Sequence, residues 1–236
     1  MRCFASQGAR VLRVIGFAER GAPTSFGRNL LITDDSSPFE EEVDRMTIER
    51  PVNLVVLLGS LRSGSFHRAL AKALPELAPA GVTITLLGSV GDIPHYNADV
   101  QAEAFPGAVN DMAGAIAAAD GVVVVTPEYN YSLPGVLKNA LDWLSRLPST
   151  PFAGKPVSIM SGSPGPIAGA RAQYHLRQIM VFLDAIVFTK PEVMIGAINT
   201  KVDINAGTVT DEATRKFIAD HLQAFVQFVD RLSPKS

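Results

Sequence analysis

The run Gly121-Val-Val-Val-Val-Thr126 is the strongest constraint this chain places on its own fold. Its apolar residues are all β-branched and show no polar alternation, the pattern of a strand buried on both faces. Both faces of a strand are covered when helices pack above and below a parallel sheet. Val52 to Leu58 reads the same way, and strand-like and helix-like segments alternate from there to the C-terminus. Val82–Leu87 is the second strand, Pro156–Met160 the fourth, and Ile186–Phe188 with Val193–Ile195 a broken fifth. The first helix places Phe66, Leu70 and Leu74 four apart and is interrupted by Pro75 and Pro79. Val109–Ala119, Val136–Arg146 and Gly169–Leu183 follow as helices. The last helix starts near Thr210, with Ile218, Leu222, Phe225, Val229 and Leu232 as its apolar stripe. The Asp99–Glu103 region reads as a solvated loop. This order predicts a doubly wound α/β sandwich, a five-stranded parallel sheet with helices on both faces.

In such a sheet, ligands bind at the carboxyl ends of the strands, near the point where strand order reverses. The loops after strands one, three and four are Gly59–Ser65, Pro127–Gly135 and Ser161–Ile167, and a parallel sheet places all three at one edge. The first joins a strand to a helix start, so it offers free backbone N–H groups and the positive end of a helix dipole. Ser60, Ser63 and Ser65 add hydroxyl donors, and Arg62 adds a charged fork suited to phosphate oxygens. The second loop carries aromatic and amide groups suited to a flat heterocycle. The third can approach a ligand through its backbone.

A bound dinucleotide would want G-x-G-x-x-G after the first strand and an acid about 20 residues on. Gly59 and Gly64 lack that spacing, and the second strand ends without an acid. An ATP-type loop would need a lysine that is absent. A receiver domain would need acids after the first strand and an aspartate after the third, where Gly59-Ser60 and Thr126-Pro127 stand. A low-molecular-weight phosphatase would need a cysteine in the first loop. A mononucleotide with a flat ring survives, and FMN is the natural case for this architecture.

Two long motifs carry a specific resemblance. Gly59-Ser60-Leu61-Arg62-x-x-Ser65 and Pro127-Glu128-Tyr129-Asn130-Tyr131-Ser132-x-Pro134-Gly135-x-Leu137-Lys138-Asn139-Ala140-x-Asp142-Trp143 resemble the NAD(P)H-dependent FMN reductase family, most closely its bacterial quinone and chromate reductases. The resemblance runs from Val52 to the C-terminus. It implies a flavodoxin-like fold and a bound FMN whose phosphate is held by Ser60, Arg62, Ser65, Phe66 and His67. Glu128, Tyr129, Asn130 and Tyr131 would flank the ring, and Ser163 would close the pocket. No side chain is expected to act as nucleophile or general base, because the flavin N5 carries the chemistry. NADPH or NADH would be the co-substrate, and small-molecule acceptors such as quinones, free flavin or chromate would take the electrons in a ping-pong cycle. The competing reading is a flavodoxin-like electron carrier without its own NAD(P)H oxidation. One departure from the family pattern is the proline-rich Ser161-Gly-Ser-Pro-Gly-Pro stretch, which would stiffen the loop at the ring edge.

Several nearby residues have plainer readings. Lys138 and Asp142 sit four apart as a helix-surface pair. Trp143 reads as core or subunit interface. Arg171 and Tyr174 share a helical face that meets either the nicotinamide cofactor's phosphates or a neighbouring subunit. The apolar helices Val136–Leu147 and Gln173–Phe182 point to a homodimer or homotetramer. His67, His95, His175 and His221 show no ligand spacing, so no metal is expected.

A hydrophobic fraction of 47% with 19% charged residues suits a compact core. The net charge of −2 and pI near 6.1 show none of the basic excess of a nucleic-acid binder. No apolar run approaches the ~20 residues of a membrane span. Cys3 is the only cysteine and lies outside the expected fold, which argues against disulfides, cysteine-based zinc sites and a cysteine nucleophile, with a cytoplasmic setting as the default. Residues 1–46 form an N-terminal extension and residues 47–236 the FMN-binding domain. The extension opens arginine-rich, turns acidic by Asp44, and reads as disordered or as an over-called start, with Met46 as the native one.

Overall fold

A computed structural model of the chain describes residues 50–233. The N-terminal extension inferred above lies outside the described residues. In chain order the elements are β1 (Val52–Leu58), α1 (Phe66–Leu77), β2 (Val82–Leu86), α2 (Ala98–Glu103), α3 (Gly107–Ala118), β3 (Gly121–Thr126), α4 (Gly135–Leu144), β4 (Pro156–Ser163), α5 (Ala170–Phe182), β5 (Ile186–Val187), β6 (Val193–Gly196), β7 (Val202–Asp203), β8 (Thr208–Val209) and α6 (Glu212–Leu232).

The main sheet is parallel with strand order β2-β1-β3-β4-β5, and β6 also pairs with β4. β5 pairs with the start of β4 at Pro156 and Val157, and β6 with its end, from Met160 to Ser163. The two are one interrupted edge strand, as the sequence led us to expect. The doubly wound, flavodoxin-like order places the switch point between β1 and β3.

Side-chain alternation along β1 builds the two cores. Val52, Leu54, Val56 and Leu58 face α1 and α6, whose Leu70, Leu74, Leu222 and Phe225 complete that layer. Val55 and Leu57 face the opposite side, where α3, α4 and α5 contribute Ile116, Leu141, Trp143 and Leu176. All six residues of β3 are buried. Trp143 is a core residue. Its indole N–H donates to the Pro94 carbonyl at 2.8 Å, and its ring meets Tyr96 edge-on.

Three local readings are corrected. Pro75 does not interrupt α1 but sits inside its last turn. Only one helical hydrogen bond is lost there, and the buried Leu70, Leu74 and Leu77 hold the turn against the sheet. Asp99–Glu103 belongs to the short helix α2, capped by the Asn97 carboxamide oxygen accepting from the Asp99 N–H at 2.9 Å. β4 runs three residues past Met160, because β6 pairs with it there. The β7–β8 hairpin has no counterpart in the sequence reading. Among the described residues no helix is long and apolar enough to cross a membrane.

Candidate flavin site

The phosphate-suited loop, residues 59–65, leaves β1 and enters α1. Ser65 is the N-cap of α1, its Oγ accepting from the backbone N–H groups of His67 and Arg68 at 3.2 and 3.4 Å. From Ser60 to Phe66 the backbone N–H groups find no protein acceptor among the described residues. Ser60 and Ser65 are buried. Arg62 is exposed and makes only a 3.3 Å contact to the Gly64 carbonyl, with no carboxylate partner among the described residues. A row of free donors, two buried hydroxyls and an uncompensated guanidinium at a helix N-terminus fit a phosphate dianion. Gly59 is fixed by packing, since a Cβ there would lie 2.6 Å from Thr126 Oγ1.

The loop after β3 folds back tightly. Tyr129 and Ser132 exchange backbone hydrogen bonds of 2.9 and 3.0 Å, and Asn130 and Tyr131 between them have φ of 51° and 66°. Two left-handed residues in a four-residue turn make the type I′ geometry. The Glu128 carboxylate is committed to the start of α5, accepting from the N–H groups of Arg171 and Ala172 at 3.0 and 3.2 Å and from Arg171 Nη1 at 3.2 Å. The same guanidinium lies 4.0 Å from the centre of the Tyr131 ring. Arg171 is therefore engaged within its own subunit, while Tyr174 is half exposed. Lys138 and Asp142 form the expected helix-surface pair at 2.7 Å.

The third loop is anchored from below. Ser161 Oγ donates to the Ala168 carbonyl at 2.7 Å and accepts from the buried Gln173 Nε2 at 2.9 Å. Gly169 takes φ of 86°, and a Cβ on it would sit 2.6 Å from Ser161 Cβ. Ser163 Oγ donates to the Gly165 carbonyl at 3.0 Å. His67 is buried, and its Nε2 lies 3.1 Å from the Gly162 carbonyl. Burial pushes this imidazole down to about 4, against a weaker opposing pull from that carbonyl.

Ser60, Arg62, Ser65, Phe66, His67, Glu128, Tyr129 and Ser163 line one cavity of about 170 Å³. Asn130 and Tyr131 lie outside that lining, at the outer corner of the turn. Pro127, Gly162, Pro164 and Ile198 also line it, and sequence reasoning missed them. Gly162 and Pro164 stand in the stretch read as loop, so the Ser-Gly-Ser-Pro pattern was an available signal. Ile198 follows β6, and nothing local marks it. A larger cavity of about 330 Å³ lies at the far ends of α4 and α5, bounded by Leu144, Phe152 and Phe182. None of the phosphate-suited donors reaches it.

Residues 52–200 match the family of NADPH-dependent FMN reductases. A quinone reductase of Escherichia coli K12 is 56% identical over 182 residues, covering 77% of this chain and 97% of its own length. An NAD(P)H-dependent FMN reductase of Pseudomonas aeruginosa is 46% identical over 181 residues, with the same coverage of 77% and 97%. The solved structure of the flavoenzyme NAD(P)H:acceptor oxidoreductase FerB from Paracoccus denitrificans aligns with a TM-score of 0.70 at 36% identity, covering 76% of this chain and 98% of that one. With its anion-suited loop at the carboxyl edge of a doubly wound sheet and these matches along most of its length, the chain belongs to the NADPH-dependent FMN reductase family.

Proposed function

We propose that this protein oxidises NAD(P)H through bound FMN and passes the electrons to quinones, free flavin or metal oxyanions such as chromate. The observation that carries this reading is the set of N–H groups from residue 60 to 66 that find no acceptor among the described residues, joined by Ser60, Ser65 and Arg62, which has no carboxylate partner there, on the same cavity as Tyr129 and Ser163. Ser60, Arg62, Ser65 and Phe66 form the phosphate end, and His67 lines the cavity next to them. Glu128, Tyr129, Asn130 and Tyr131 stand beside the ring, and Ser163 borders its edge. Bound FMN supplies the redox chemistry, accepting hydride from the nicotinamide and returning electrons to the acceptor.

The chain's own residues bind and orient. Arg171 is partnered by Glu128, and the cationic side chain that lines the cavity is Arg62. The cavity of about 170 Å³ is below the ~300–1,000 Å³ of enclosed ligand pockets. Tyr129 and Tyr131 are 48% and 65% exposed, so the space beside the ring is open. An open site of this kind admits the nicotinamide and then the acceptor in turn, and discriminates poorly among planar acceptors. The exposed Tyr174, Val181 and Phe182 on α5 favour a homodimer or homotetramer. We place the protein in the cytoplasm, with residues 47–236 as the catalytic domain.

The test begins with the visible spectrum of the purified protein with added FMN, before and after anaerobic NADPH. Flavin capture, bleaching without a partner protein and recolouring by a quinone are expected. A preparation that takes no FMN overturns the reading. Bleaching only with a partner reductase makes the protein an electron carrier. Intersecting rather than parallel initial-rate lines overturn the alternating use of one site.

A further inference from the structure

The β3–β4 ladder ends at the Thr126–Ser161 pair. The next residue along β3 is Pro127, which has no N–H to offer β4. One residue further along β4, the Gly162 carbonyl is taken by the His67 imidazole at 3.1 Å, across 95 residues of sequence. Gly162 has no room for a side chain, since a Cβ there would meet Ile198 Cδ1 at 2.5 Å and the Ile195 carbonyl at 3.0 Å. A carbonyl only accepts, so the ring proton facing it is on Nε2. A neutral imidazole with its proton there leaves Nδ1 bare, and a bare nitrogen cannot donate to a phosphate oxygen. At the other end, the His67 backbone N–H is taken by Ser65 Oγ. His67 thus spans from the first turn of α1 to the strand that leads into Ser163 and Pro164.

Resting on the FMN reading, we propose that His67 is a positioning residue for the ring end of the cofactor rather than a phosphate ligand. Its Nε2–H bond to Gly162 locks the phosphate loop and the β4 edge in one register, and it acts on the flavin through Gly162 and Ser163. Loss of the bond frees the edge that borders the ring and leaves the phosphate donors in place.

The experiment compares FMN with riboflavin, which has the same ring and no phosphate. Dissociation constants for both are measured by flavin fluorescence on wild type, His67→Leu and His67→Gln, with visible circular dichroism of bound flavin and the urea midpoint of each variant. His67→Leu is expected to weaken both flavins by a similar factor of about ten, the equivalent of one buried hydrogen bond, and to alter the flavin dichroism. His67→Gln, whose amide N–H has comparable reach, is expected to restore both. Weakening of FMN alone makes His67 a phosphate ligand and overturns the proposal, as does failure of His67→Gln to restore either readout. Long-range ¹H–¹⁵N spectra of the flavin-free wild type at pH 7 should show a protonated Nε2 and a bare Nδ1. The opposite tautomer or a doubly protonated ring overturns the proposal without any flavin, even if His67→Leu does not fold. A wild type that takes neither flavin sinks the FMN reading and His67's role in it, while the tautomer still reports whether the lock exists.

Discussion

Two buried histidines, His67 and His221, should make the flavin-free protein acid-labile in a defined window. Burial pushes both His67 and His221 from 6.5 down to about 4. For His221 the Pro191 carbonyl opposes the shift, and the nearby Arg177 charge adds to it. Its ring is held by Ser158 Oγ and the Pro191 carbonyl, both at 2.7 Å. The folded state keeps both rings neutral down to about pH 4, whereas the unfolded chain protonates them near 6.5. Between those values the unfolded state binds up to two more protons, so stability falls as pH falls, and the histidine part of that loss levels off below 4. Moving a ring from 6.5 to about 4 is worth roughly 3 kcal/mol per ring, against a total of ~5–15 kcal/mol for a domain. Asp203 and Asp211 are held below the usual carboxylate range, mainly by hydrogen bonds from Ala206 and Thr214. Their contribution is present above 3.8 and is lost as pH falls further, below the histidine window. The assay is a series of urea midpoints at pH 7.5, 6.5, 5.5 and 4.5 on flavin-free protein. Wild type should lose about 5 kcal/mol across the series, and His67→Gln and His221→Gln should each halve the proton uptake on unfolding. A midpoint that stays level from pH 7 to 4.5, or that neither substitution changes, refutes the reasoning.

Other substitutions read single contacts. Gly169→Ala places a methyl 2.6 Å from Ser161 Cβ at φ of 86° and should cost about 2–4 kcal/mol in urea unfolding. Glu128→Ala removes the acceptor at the start of α5 and should cost about 1–2 kcal/mol, with faster hydrogen exchange at the Arg171 and Ala172 amides; Glu128→Gln should cost less. Arg62→Ala should weaken FMN about 10–100-fold, leave riboflavin nearly unchanged and flatten the salt dependence of FMN binding. Asp142→Asn should change stability by less than ~0.5 kcal/mol, because the Lys138 pair is exposed.

The sequence by itself determined the layers and the edge at which the loops meet. Unbroken apolar runs such as Val122–Val125 demand cover on both faces, and chain direction in a parallel sheet then brings the loops after β1, β3 and β4 to one side. Gly59-Ser60-x-Arg62 was legible as an anion loop because its chemistry is local: a turn, a cap and a helix start. Only the tertiary structure decided where β4 ends, since Ser161-Gly-Ser reads as a turn until β6 pairs with it. It also decided that Glu128 holds α5 and that His67 holds Gly162, contacts spanning 43 and 95 residues. Local periodicity records which face of an element is buried. It carries no trace of which distant donor a buried carbonyl or carboxylate will meet, because that pairing exists only once separate elements are packed together.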